Sequence, residues 1–246
     1  MSLQFNDTST YRGIVQQYEE EIGANPGDIS GNSIKLKQLT AKVNLALDDF
    51  TKIAIQASGT WQWDDTNHTD YPIIKTNIVS AQRDYTFTTD QLGNIILDIH
   101  KVAILTSSTA TDYEEIDPVD AQSEDVAARF NNSETGIPND YDKTGNGIIF
   151  GVIPNYSATN GLLIYINREA SYFVSTDTTK KPGIPGIFHR YLVLRPAEDH
   201  ARRNALPNYT ALRAERFQME EDIREYFGNR EKDVSKRITV RSISFR

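Results

Sequence analysis

The feature that most constrains the fold is a change in the period at which apolar side chains recur, from helical to strand-like and back to helical. Leu36, Leu39, Val43, Ala46, Phe50 and Ile53 fall three or four apart, one stripe of a helix, with Lys35, Lys42, Asp49 and Lys52 mostly off it. Ser33 is placed to cap that helix. From Gly59 onward the chain breaks into short β-like runs between turn residues: Thr60 to Trp63, Tyr71 to Val79, Asp84 to Thr88, Ile95 to Leu105, Gly147 to Ile153 and Leu162 to Ile166. After Gly186 the helical spacing resumes in Ile187, Tyr191, Leu194 and Ala201, with Pro196 expected to kink or interrupt it. A last helix is expected from Asn208 or Thr210 to Gly228, with Leu212, Met219, Ile223 and Tyr226 facing inward.

A first short helix, Tyr11 to Ile22, is expected to be capped by Thr8 or Ser9 and to stop at Gly23. Helical patterns at both ends with strands between them predict an α+β chain. The ends, 1–57 and 176–233, are expected to form one α-helical bundle with Leu39, Val43, Phe50, Tyr191, Leu194, Leu212, Met219 and Ile223 in its core. Residues 58–175 are expected to be an inserted antiparallel β module, a small sandwich or barrel-like sheet. Residues 234–246 are expected to be an extended C-terminal arm.

Charge is spread unevenly over a total of −8: −2 in residues 1–57, −11 in 58–175, +1 in 176–229 and +4 in 230–246. An acidic middle of this size repels nucleic acid, while the basic tail suits contact with an acidic protein surface. No apolar run approaches the roughly 20 residues of a membrane span, and Met1 to Asp7 lacks the basic-then-apolar pattern of a signal peptide. The chain is therefore expected to be made and kept in a cytoplasm-like compartment.

Cysteine is absent, which excludes disulfides, thiolate nucleophiles and cysteine-bound metal centres. His68, His100, His189 and His200 are scattered, with no i,i+4 pair of the zinc-binding kind. Asp140-Tyr-Asp142-Lys-Thr144-Gly145-Asn146 has the oxygen spacing of half a calcium loop, but Gly151 stands where the bidentate glutamate belongs, so a hairpin turn is expected instead. The neighbours Asp64 and Asp65, and Glu114 and Glu115, point to opposite faces of a strand and suit solvated charge better than paired glycosidase carboxylates. Trp61 and Trp63 share a strand face and suit burial between helices and sheet; with Tyr71 they could also make a sugar-stacking platform. No phosphate loop, nucleophile elbow or dinucleotide fingerprint is present. No enzymatic activity, cofactor or metal is expected.

The stretch Thr179-Lys-Lys-Pro-Gly-Ile-Pro-Gly-Ile-Phe188-His189-Arg-Tyr-Leu192, followed by an Ala-rich helix, a Glu- and Arg-rich helix and Tyr226-Phe-Gly-Asn-Arg230-Glu-Lys-Asp233, resembles small virion proteins of tailed bacteriophages. In layout the chain is similar to their head-to-tail connector (adaptor) proteins, including the tail-tube A type. The resemblance covers most of the chain in layout and about fifty residues in detail. It implies a structural virion protein of the neck or tail, a ring of about twelve copies under the portal protein, touching tail or nozzle proteins. Genomic DNA would pass through the channel without sequence-specific binding. It also implies that the arm reaches the portal or a neighbouring subunit, through Lys236, Arg237, Ile238, Val240, Arg241, Ile243, Phe245 and Arg246. The β module of nearly 120 residues is longer than that layout requires. The competing reading is a glycan- or receptor-binding β module on a helical stalk, carried by Trp61, Trp63 and Tyr71.

Overall fold

The computed structural model describes residues 3–58, 73–87, 89, 93, 95–122, 130, 133–145 and 147–230. Among them four α-helices are present: α1 (Ile14–Glu21), α2 (Ser33–Ser58), α3 (Tyr191–Arg203) and α4 (Tyr209–Arg230), with a 3-10 turn at Gly186–Phe188. Nine strands lie between α2 and α3: β1 (Ile73–Ile78), β2 (Asp84–Thr86), β3 (Ile96–Leu105), β4 (Tyr113–Pro118), β5 (Thr135–Gly136), β6 (Asp140–Thr144), β7 (Gly147–Phe150), β8 (Ile153–Pro154) and β9 (Ala158–Arg168). Seven of them form one sheet in the order β1-β9-β3-β4-β6-β7-β2, and β5 pairs with β8 alone.

The expected architecture is corrected by this sheet. The chain is α+β, but it is not a helical bundle from both ends carrying an antiparallel insert: a curled seven-stranded mixed sheet dominates. Strand β4 runs parallel to β6, with Asp117 opposite Asp140, and β5 runs parallel to β8. Short charged strands such as Tyr113–Pro118 carry no apolar alternation, so the patterning did not reveal the pairing that makes the sheet mixed.

Alternation does explain the sheet's centre. Leu162, Ile164 and Ile166 of β9 point to one face and are fully buried. Opposite them on β3, Val102 pairs with Ile164 and Ile104 with Leu162, so a shift of one residue would turn every one of these side chains to the wrong face. Burying each contributes roughly 1.5–3 kcal/mol. The outermost strands, β1 and β2, are consecutive in the chain, and the Val79 N–H donates to the Tyr85 hydroxyl at 3.0 Å. At the β2–β7 contact a Cβ on Gly147 would lie 2.0 Å from the Tyr85 carbonyl oxygen, so only glycine admits that approach.

The helices share a second core. Leu36, Leu39, Val43, Ala46, Phe50 and Ile53 are all buried, and they meet Tyr191, Leu194, Leu212 and Ile223 from the far end of the chain. The N-cap of α2 is Asn32 rather than Ser33: its Oδ1 accepts from the Ile34 and Lys35 N–H groups, both at 3.1 Å. Helix α1 begins later than its spacing predicts, because the Asp7 carboxylate gathers Ser9 and Thr10 into a turn of their own. Tyr11 consequently sits at φ +54° with its ring in solvent. Helix α3 runs through Pro196, and Ile187 lies outside it, exposed, in the 3-10 turn. Helix α4 continues past Gly228, and Phe227 faces inward where Tyr226 was expected.

Buried polar groups position the connections. The Glu19 carboxylate accepts from the backbone N–H groups of Gly27, Ile29 and Ser30 at 3.2, 2.8 and 2.7 Å, which fixes the loop between α1 and α2. Asn44 of α2 and Phe173 exchange two hydrogen bonds of 3.0 Å, tying the end of the sheet to the helices.

His189 closes the chain's beginning onto its later half. The Leu3 N–H donates to its Nδ1 at 2.8 Å and its Nε2–H donates to the Ile184 carbonyl at 2.9 Å, a pairing that only the neutral ring satisfies. Burial accordingly holds its pKa below the usual histidine value. The unfolded imidazole takes up a proton near pH 6.5 and the folded one resists it, so this contribution is complete above about pH 6.5 and declines as pH falls toward the folded value. Urea midpoints measured at about pH 7.5 and about pH 5 are expected to fall with acidification, and His189→Gln to lessen that fall while His200, also depressed by burial, supplies the remainder. Truncating the helical core at Leu39→Ala or Leu212→Ala is expected to cost about 2–5 kcal/mol each in equilibrium unfolding.

Candidate functional site

Beside the apolar stripes, α2, α3 and α4 each present a polar stripe of the same helical spacing, and the three converge on a cleft of about 470 Å³. Helix α2 contributes Asp49, Lys52 and Gln56, and α3 contributes Arg195, Glu198 and Arg202. From α4 come Arg213, Arg216, Glu220 and Arg224. Residues 3–4 apart lie on one face of a helix, so each stripe follows from its sequence positions once the apolar stripe next to it is buried.

At the base of the cleft Arg216 bonds both Glu198 and Glu220, all three side chains about nine-tenths buried. The Tyr191 hydroxyl donates to Glu220 at 3.2 Å. Burial works to lower the pKa of Arg216, and the hydrogen bond to Glu198 and the charge of Glu220 outweigh it and raise it. Burial, reinforced by Glu220, holds the Tyr191 phenol far above its usual range. Nearer solvent, Arg195 donates to Asp49 at 2.9 Å and Arg202 to Asp199 at 2.8 Å. Arg224 pairs with Glu221 and lies 3.9 Å from Glu220.

Two cations of the lining differ from these. Lys52 and Arg213 have no carboxylate partner among the described residues. Arg213 lies over the Phe217 ring at 5.4 Å, and the Arg216 guanidinium lies over the same ring at 4.3 Å. Six cations against four carboxylates make the lining net positive in a chain whose total is −8. Such a cleft attracts carboxylate or phosphate groups.

A second, shallower depression lies at the far end of α4, between Ile187, Phe188, Met219 and Tyr226, with Asp222 and Glu225 on its rim. Ile187 is 63% exposed and Tyr226 44%.

The sequence-expected sites are placed as follows. Lys236, Arg237, Ile238, Val240, Arg241, Ile243, Phe245 and Arg246 lie outside the described residues, as do Trp61, Trp63, Tyr71, Asp64, Asp65 and His68. Glu114 and Glu115 lie on β4, where Glu115 pairs with Lys101 at 2.5 Å. The segment Asp140 to Asn146 is not wholly a turn, since Asp140–Thr144 is strand β6. Asp140 is buried beside Gly151, while Asp142 accepts from the Ala121 N–H at 3.1 Å. No cluster of three or more His, Asp or Glu side chains suited to a metal occurs among the described residues. No described helix is long and apolar enough to cross a membrane. The segment Thr179 to Leu192, quoted above for its resemblance, receives the N-terminal residues: the Phe5 N–H donates to the Lys180 carbonyl at 2.8 Å and the Asn6 N–H to Thr178 at 3.1 Å.

A scan of the chain against protein-family models finds no match, and a search of curated proteins finds none either.

The Arg216 network was not anticipated from sequence, because arginine and glutamate at core-side positions read as a solvated face. Removing its central cation leaves two buried carboxylates without their charge partner. Arg216→Met is therefore expected to destabilise the fold by about 3–5 kcal/mol in urea titration, and replacing Glu198 and Glu220 as well by apolar residues of similar size to recover most of that loss.

Proposed function

We propose that this chain is a structural assembly protein of a tailed bacteriophage, a head-to-tail connector that forms a ring of about twelve copies beneath the portal and joins capsid to tail. Its place is then the neck of the virion, with tail or nozzle proteins on the other side and the DNA passing through the channel.

The observation that carries this reading is the exposed apolar surface at the end of α4. Ile187 and Tyr226 each leave a third or more of their surface in water on adjoining elements, around a depression with an acidic rim. Large apolar groups grouped in this way mark surfaces that associate with other proteins. Helix α4 ends at Arg230, and the sequence continues with Lys236, Arg237, Arg241 and Arg246 between β-branched residues, a pattern suited to adding as a strand to a partner with an acidic edge. The bundle layout that was part of the resemblance is replaced by the sheet and no longer supports the reading. The reading rests on the Thr179–Leu192 and Tyr226–Asp233 segments, the open apolar surface and the segregation of charge.

Deletion of residues 235–246 tests it. Thermal melts of the truncated chain are expected to match those of the full chain, because no described core residue lies beyond Phe227. Electron micrographs of the truncated chain mixed with the portal protein of the same phage are expected to show bare portals where the full chain gives decorated ones. Undiminished decoration by the truncated chain would overturn the assignment.

A further inference from the structure

We propose that the arginine-lined cleft between α2, α3 and α4 is a binding site for a small anion carrying two or more linked phosphate groups. The inference goes beyond the connector reading and does not depend on it.

Charge points to an anion, because the carboxylates of the cleft are outnumbered and already shared. Asp199 alone faces three guanidinium groups: Arg202 at 2.8 Å, Arg203 at 3.2 Å and Arg195 at 4.0 Å. Lys52 and Arg213, both exposed, have no carboxylate among the described residues. A guanidinium carries five N–H donors, so one bond to a carboxylate leaves others for a ligand. Those of Arg195, Arg202 and Arg224 are reachable, since these side chains keep 38%, 62% and 47% of their surface in water. Arg216 lies buried beneath them with Glu198 and Glu220 and forms the floor.

Size and composition point to linked phosphates. A cleft of about 470 Å³ falls in the range of small-molecule sites and far exceeds the volume of a single oxyanion. Among the described lining residues Ile53 alone is aliphatic, and Tyr191 and Tyr209 are the aromatic ones. A hydrocarbon skeleton would bury little against such walls, whereas a phosphate chain presents oxygen along its whole length. Five of the six lining cations are arginines, whose planar fork meets two phosphate oxygens at once.

The reachable cations are spread over three helices: Lys52 on α2, Arg195 and Arg202 on α3, Arg213 and Arg224 on α4. Linked phosphates match a set of donors distributed in this way. Ion pairs with Asp49, Asp199 and Glu221 hold three of the arginines in place beforehand, so less rotamer freedom is lost when the anion arrives. An anion gripped by all three helices binds the folded chain and not the unfolded one, and therefore stabilises the fold as its concentration rises above Kd.

Isothermal titration of the full chain with inorganic tripolyphosphate, in magnesium-free buffer at about 0.15 M salt, tests the proposal. Saturable binding of one anion per chain is expected, at least about tenfold tighter than that of sulfate, because one oxyanion engages fewer of the cations. Lys52→Gln with Arg213→Gln is expected to weaken tripolyphosphate binding at least about tenfold. Lys37→Gln with Lys181→Gln removes equal charge at exposed positions outside the cleft and is expected to leave binding unchanged. Should a variant depart from the wild-type melt, the wild-type chain supplies a second measurement. Tripolyphosphate is expected to shield the Lys52 amine from acetylation, read by peptide mass spectrometry, and to leave Lys37 and Lys181 open. Equal affinity for sulfate and tripolyphosphate, equal losses in the two double variants, or an unshielded Lys52 would each overturn the proposal. A nucleoside triphosphate that binds more tightly than tripolyphosphate would identify a nucleotide as the source of the phosphates, and equal affinity would identify the free phosphate chain.

Discussion

The packing of Phe50 against three aromatic rings from the other end of the chain is the contact on which the helical part depends. Its ring lies 5.9 Å from Phe188, 6.0 Å from Tyr191 and 5.9 Å from Phe227, the last two in edge-to-face geometry. One side chain of α2 thereby fixes the 3-10 turn, α3 and α4 at once. The cleft exists because those three elements are held at that separation: with Phe50 and Tyr191 inside, the adjoining stripes of Asp49, Arg195 and Arg216 have no position left except along the cleft walls. Apolar packing supplies the position and the ion pairs supply the selectivity.

Where the sequence spoke clearly, one physical signal dominated. The stripe from Leu36 to Ile53 is apolar, regular and about five turns long, and all six positions are buried. The central strands β3 and β9 were visible because both are rich in β-branched residues. Other elements were hidden for definite reasons. Tyr226 and Phe227 are adjacent aromatics, and a displacement of one position rotates a helical face by about 100°. Strands β4 and β6 are mostly charged, and their parallel pairing joins segments more than twenty residues apart, which no local pattern encodes.

The cleft was hidden more deeply. Its residues repeat with helical spacing just as the apolar ones do, and a second period of charged residues on three different helices is the signal that could have located it. In a single sequence that period is indistinguishable from an exposed face until the helices are placed together. Only their convergence shows that Glu198 and Glu220 share one arginine instead of pointing to water.

The bonds from Phe5 and Asn6 to Lys180 and Thr178, and from Leu3 to His189, bear on the order in which the molecule can be made. On the ribosome, the earliest residues emerge long before the strap that receives them, and Ile14, Val15 and Phe50 have no complete apolar cover until α4 has followed. The intervening strands can settle first, since every strand of the large sheet pairs with another from residues 73–168. Synthesis thus leaves a finished sheet tethered to an N-terminal helical pair that must wait for its C-terminal half, and the exposed helical surface during that interval is a natural client for chaperones.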